Sequence, residues 1–147
     1  VLSSNDLIEM VADITSKNGN LLLNIGPKPD GSISQIQLNR LQELGAWLGR
    51  NGEAIFGTRP WERAEGKTST GSPLRFTRKD GAIYAILFER PKGRDVLIDS
   101  FSPPAGAKVT MLGVQGDLAV EQQGAGLKVT LPSILEGEHA WTLKIEG

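Results

Sequence analysis

Two acidic residues sit where a carboxyl group could do chemistry. Asp30 lies in Gly26-Pro27-Lys28-Pro29-Asp30-Gly31-Ser32, a stiff loop after a short apolar run, and Glu53 lies in Asn51-Gly52-Glu53-Ala54-Ile55-Phe56-Gly57, just past a helical pattern. A carboxyl group beside a cleft can act as acid, base or nucleophile. Each also has a structural reading, which we place first. Asp30 would hold its turn through its side chain, and Glu53 would bond to backbone or to a basic neighbour such as Arg59. Other chemistries are excluded sooner. His139 is the only histidine and cysteine is absent, so one copy can build no multi-histidine or thiolate metal site, disulfide scaffold or cysteine nucleophile. Ser69, Ser72 and the other serines show no nucleophile elbow, and Gly113-Val114-Gln115-Gly116 lacks the strand-to-helix setting of a phosphate loop.

The elements that must position these groups differ between the two parts of the chain. Ser4 or Asn5 can cap a helix whose residues Leu7, Ile8, Met10, Val11 and Ile14 share a face, with Gly19 supplying a left-handed close. Asn20 to Ile25 then reads as a strand buried on both faces, the one strand of that kind in the chain. Ser34 with Gln37 has the form of a capping box, opening a helix on which Leu38, Leu41, Leu44, Trp47 and Leu48 line one side and which Asn51-Gly52 ends. Helix, buried strand, helix is the local grammar of a parallel α/β sheet. Residues 62–72 are polar and rich in glycine, serine and threonine, and we place the junction there. Beyond it seven strands are expected, near 74–78, 82–89, 95–100, 108–113, 117–122, 126–131 and 140–146. Asp80-Gly81 is a strong hairpin signal, and the spacing suits an antiparallel sandwich.

Several of these stretches, in order, resemble the α-L-fucosidases of glycoside hydrolase family 29: SKNGNLLLNIGP at 16–27, PDGSI at 29–33, NGEAIFGTRPW at 51–61 and FTRKDGAIYAI at 76–86. The resemblance implies an α+β fold. Residues 1–61 would be the C-terminal segment of a (β/α)8-like catalytic domain, an incomplete barrel piece of helix, strand and helix, and 73–147 the antiparallel β-sandwich behind it. A complete barrel needs about 250 residues, more than the 147 here. The resemblance also implies retaining hydrolysis of terminal α-L-fucosides without a metal or other cofactor, by two carboxyl groups about 5 Å apart. In the family these lie on barrel segments that would precede Val1, so neither role transfers to a residue of this chain. Asn24, Gly26, Pro27 and Asp30 would fall at the carboxyl end of the barrel strand, where such pockets are built.

Three functional classes stay open. The chain is a structural or accessory remnant without hydrolase activity; or an unusually small fucosidase whose oligomer assembles a pocket, with Asp30 and Glu53 supplying acidic groups; or a carbohydrate-binding sandwich, with Trp61, Tyr84 and Trp141 stacking on sugar rings. For these aromatics the competing reading is packing. Trp61, after Pro60, would pin the two parts together, and Trp47 belongs to a helix stripe. A lone barrel strand and its helices leave edges and faces open, so residues 1–56 are expected to be covered by an upstream catalytic chain, by an identical copy, or by repacking on the sandwich. The ligand would be a fucosylated glycan or a small α-L-fucoside. With 16 basic against 17 acidic residues, no basic patch and no long apolar span, nothing points to nucleic acid or a membrane. The compartment is unspecified. The chain starts at Val1 rather than Met, which processing or a deliberate fragment would explain.

Overall fold

The computed structural model describes residues 3–19, 34–103, 106–133, 135 and 139–146. The expected strand at 20–25, and with it Asn24 and Asp30, lies outside the described residues. Two helices open the described chain, α1 (Ser4–Ser16) and α2 (Gln35–Asn51), and a 3₁₀ turn, η1 (Gly52–Ala54), follows α2 directly. The N-cap of α1 is Ser3 rather than Ser4 or Asn5, its hydroxyl accepting from the Asp6 N–H at 3.1 Å. Its close is a Schellman motif. The Gly19 N–H reaches the Ile14 carbonyl at 2.8 Å and the Asn18 N–H the Thr15 carbonyl at 3.1 Å. Asn18, not Gly19, takes the left-handed conformation, at φ 60°. Ser34 caps α2 as expected, accepting from the Gln37 N–H at 3.2 Å. Of the stripe on α2, Leu44 and Trp47 are buried, Leu41 and Leu48 are half-buried, and Leu38 is exposed.

All seven expected strands are present, and an eighth precedes them. β1 (Arg59–Lys67) runs through much of the stretch expected as a polar junction. It is an edge strand that is nowhere fully buried, which is why its composition reads as linker. The others are β2 (Pro73–Lys79), β3 (Ala82–Leu87), β4 (Asp95–Ile98), β5 (Lys108–Met111), β6 (Ala119–Gln123), β7 (Gly126–Thr130) and β8 (Trp141–Glu146). They form two antiparallel sheets, ordered β1-β2-β3-β8-β5 and β4-β7-β6. Asp80 and Gly81 alone separate the paired residues Lys79 and Ala82, and their φ values of 50° and 82° are those of a type I′ hairpin turn.

Alternation along β3 sets the layering. Ile83, Ala85 and Leu87 face the inter-sheet core with Leu74, Phe76, Val109, Leu143 and Ile145. Ala82, Tyr84 and Ile86 face the other way, against Leu7, Ile8, Val11, Leu44 and Trp47 of the helices. The molecule thus has three layers: helices, five-stranded sheet, three-stranded sheet. β3 is itself a strand buried on both faces, so the run at 20–25 is not the one such sequence in the chain, and two-sided burial here belongs to an antiparallel strand covered by helices.

Candidate functional site

One row of side chains crosses β2, β3 and β8 on the helix-facing side. Thr77 is directly opposite Tyr84, and Tyr84 directly opposite Lys144. The turn η1 lies on this row. The Thr77 hydroxyl donates to the Ala54 carbonyl at 2.7 Å, the Tyr84 hydroxyl donates to Glu53 Oε2 at 2.7 Å, and Lys144 Nζ stands 2.6 Å from that same oxygen. Lys79 Nζ donates to the carbonyls of Glu53 and Phe56 at 2.9 and 3.1 Å.

The electrostatics follow from these partners. The Lys144 ammonium first, and the Tyr84 hydroxyl second, hold the Glu53 carboxyl below its ordinary value of 4.5. Burial and the Glu53 carboxylate push the Tyr84 hydroxyl upward, so it stays a neutral donor. A general acid at neutral pH needs a raised pKa. Glu53 has the reverse, which counts against the acid role, and with Oε2 engaged by two donors it anchors the turn to the sheet. Its partners are Lys144 and Tyr84 rather than the expected Arg59. Nothing in the spacing of the sequence foretells this, because Glu53 meets Tyr84 from 31 positions away and strand pairing sets Lys144 beside Tyr84. The only advance signal was that Tyr84 and Lys144 interrupt their strands on the alternate face.

A second set of contacts ties α1 to the sheet. Arg75 Nε lies 2.7 Å and Lys17 Nζ 2.9 Å from Asp13 Oδ1, and Lys17 also reaches Glu65 at 2.8 Å. Burial alone would raise the Asp13 carboxyl, but Arg75 and Lys17 outweigh it and hold it below 3.8. The Trp47 indole donates to the Ala140 carbonyl at 3.1 Å. His139 hydrogen-bonds Asn5 of α1 through Nδ1, while its Nε2 lies 4.0 Å from Glu43 Oε2 of α2. The sole histidine is therefore set between the two helices.

The aromatic candidates separate by burial. Tyr84 is 1% and Trp141 6% exposed, so their ring faces are taken up by packing and cannot stack on a sugar. Trp61 is half-buried. Its ring is tilted against Phe76 at 4.7 Å and edge-on to Phe101 at 5.5 Å, with the Arg63 guanidinium 5.6 Å from its centroid. It packs against the inter-sheet core, so the expected pinning of the two parts falls instead to Trp47 and the row that grips η1. With Asn24 and Asp30 outside the described residues, Glu53 and Trp61 are the two candidate residues that combine a described position with access to solvent.

Comparison with known proteins supplies the remaining observation. Residues 1–53 match the family model described as alpha-L-fucosidase, and residues 67–146 the model of the alpha-L-fucosidase C-terminal domain. The tissue alpha-L-fucosidases of Rattus norvegicus and Homo sapiens are each 38% identical, over 99% and 100% of this chain and 32% of their own length. The crystal structure of Thermotoga maritima alpha-fucosidase in complex with a mechanism-based inhibitor superposes with a TM-score of 0.95 at 37% identity, over all of this chain and 35% of that one. The fucose complex gives 0.93 at 38% identity, over 99% of this chain and 34% of that one. The chain spans about a third of the length of the relatives it matches.

Proposed function

The chain belongs to the α-L-fucosidase family, and from that membership we propose that it serves the hydrolysis of terminal α-L-fucosides as scaffold, not as the source of nucleophile and acid. The observation that carries this reading is the state of Glu53. It is the one catalytic candidate among the described residues; its lowered pKa counts against the acid role, and the engagement of its Oε2 by both Lys144 and Tyr84, as a strut between η1 and the sheet, counts against the role of nucleophile. Retaining hydrolysis needs two carboxyl groups that can approach one anomeric carbon, one of them protonated at the start. In this reading those groups come from residues outside the chain, Asp30 and Asn24 lie at a pocket rim, and the three-layer packing fixes the sandwich to the segment that closes a barrel. The ligand class is a fucosylated glycan or small α-L-fucoside, a class consistent with the fucose complex of the Thermotoga maritima relative.

We further propose that residues 1–56 are the contact region, covered by an upstream catalytic chain or by a second copy. In support, Ile36 is 55%, Leu38 38% and Phe56 62% exposed. Release of an aryl leaving group from an α-L-fucoside tests the main reading. The expected result for the 147-residue chain alone is no turnover; turnover that responds to substitution of its own carboxylates would refute it.

A further inference from the structure

We propose that the sandwich binds a neutral oligosaccharide in a trough along β1, with Trp61 at one end of it. The trough has a volume of about 610 Å³ where Trp61, Glu62 and Arg63 face Ser100 and Ser102, and continues past Arg63 and Ser100 into a further 290 Å³ beside Lys67. Residues 61–67 are seven strand residues, so the groove runs for roughly 20 Å, the length of several sugar rings.

Four features make this a prepared surface. β1 bulges between Pro60 and Glu65, placing the six residues 60–65 of β1 against the three residues 75–77 of β2, and such bulges re-aim side chains. Trp61 is fixed by Phe76, Phe101 and Arg63, so its orientation is set before any ligand arrives. Its indole N–H makes no hydrogen bond among the described residues and is not buried, and Trp61 lines the trough, so the indole brings an unspent donor to this surface. Ser100, on the opposite wall, sits at φ 52°, a conformation non-glycine residues seldom adopt, and its carbonyl and that of Asp99 hold the Arg63 guanidinium at 2.7 and 3.1 Å.

The chemistry of the lining selects the ligand. Glu62, Glu65 and Asp99 outnumber Arg63 and Lys67 along the lining, so an anionic ligand gains no advantage. What the walls offer is an amphipathic indole, carboxylates, a guanidinium and hydroxyls in alternation, which suits a molecule with apolar C–H faces and hydroxyl rims. Binding at this trough requires no turnover, so it stands or falls separately from the hydrolysis reading.

The test is amide and indole NMR of the full chain titrated with a fucosylated lactose trisaccharide, with lactose, and with glycerol as control. The three tryptophans give three indole signals. Trp47 and Trp141 are 5% and 6% exposed and serve as internal references. The expected result is a saturable shift, with one or both saccharides, of the Trp61 indole and of amides in 61–67 and 99–102, the other two indoles staying put. Trp61→Phe, which keeps an aromatic ring and loses the donor, should weaken binding about tenfold. If that variant fails to fold, Glu62→Gln and Ser100→Gly, both at exposed positions, should each weaken binding several-fold. No shift, a shift of equal size with glycerol, or shifts centred away from β1 would overturn the proposal.

Discussion

At Glu53, one carboxylate oxygen takes a hydrogen bond from Tyr84 and an ion pair from Lys144, and the pH dependence of stability should report both. The folded-state pKa values of Glu53, Asp13 and Glu65 lie below ordinary values of 4.5, 3.8 and 4.5. A depressed carboxylate adds stability that is complete above its unfolded value and is lost as pH falls through its folded one. Thermal melts should therefore show the melting temperature falling on acidification below about pH 4.5, where these groups take up protons as the chain unfolds. Glu53→Gln should cost about 1 kcal/mol at neutral pH, a value reduced because the carboxyl is 41% exposed. It should also flatten the acid limb; parallel curves for variant and parent would contradict the pairing. Trp141→Ala, by contrast, empties a core position and should cost about 3–5 kcal/mol in urea titration, whether or not any sugar is present. The structural reading of Glu53 was available from its place after a helix, but its partners were not, since Tyr84 and Lys144 meet only through the pairing of β3 with β8.

Among the elements, legibility followed periodicity and turn chemistry. Of the strands from β2 to β8 most were readable as short apolar alternations or runs bounded by turn residues, β6, exposed along its length, only from its spacing between Gly116 and Gly124, and the hairpin because Asp-Gly supplies two left-handed positions. β1 was not readable. Its bulge breaks the alternation over the stretch that carries Trp61, and its edge position lets polar residues occupy it. The helix-facing side of the sheet was equally hidden, because Ala82–Leu87 is apolar on both faces and sequence does not say what covers the second one. Two substitutions probe the contacts that matter. Thr77→Val keeps shape but removes the donor to the buried Ala54 carbonyl; it should cost about 1–2 kcal/mol and speed hydrogen exchange at the Ile55 and Phe56 amides, both bonded to the Gly52 carbonyl. Gly81→Val places a β-branched residue at φ 82° and should cost about 1–2 kcal/mol in the same melts. Unchanged exchange at 55–56 in Thr77→Val would mean that η1 is held without the cross-strand row.

The molecule as a whole is a sandwich with a helical layer fastened to one sheet by polar anchors, among them Asp13, Glu53 and the Thr77 and Trp47 hydrogen bonds, and by apolar packing around Trp47 and Tyr84. This layer leaves Ile36, Leu38 and Phe56 open to solvent on α2 and just beyond η1. Apolar side chains left open in this way offer contact points for the proposed association, and static light scattering of the chain alone should give a mass that rises with concentration above that of 147 residues. A constant monomer mass at high concentration would contradict association through residues 1–56.

In the proposed function these residues supply architecture and not the reacting carboxylates. The most direct measurement is aryl α-L-fucoside hydrolysis by the chain, purified from a host without fucosidases, beside Asp30→Asn and Glu53→Gln with folding checked by circular dichroism. No turnover above background is expected in any of the three, with Glu53→Gln altered in stability alone. Turnover by the parent chain that either substitution abolishes in a folded protein would mean that it builds a catalytic site of its own.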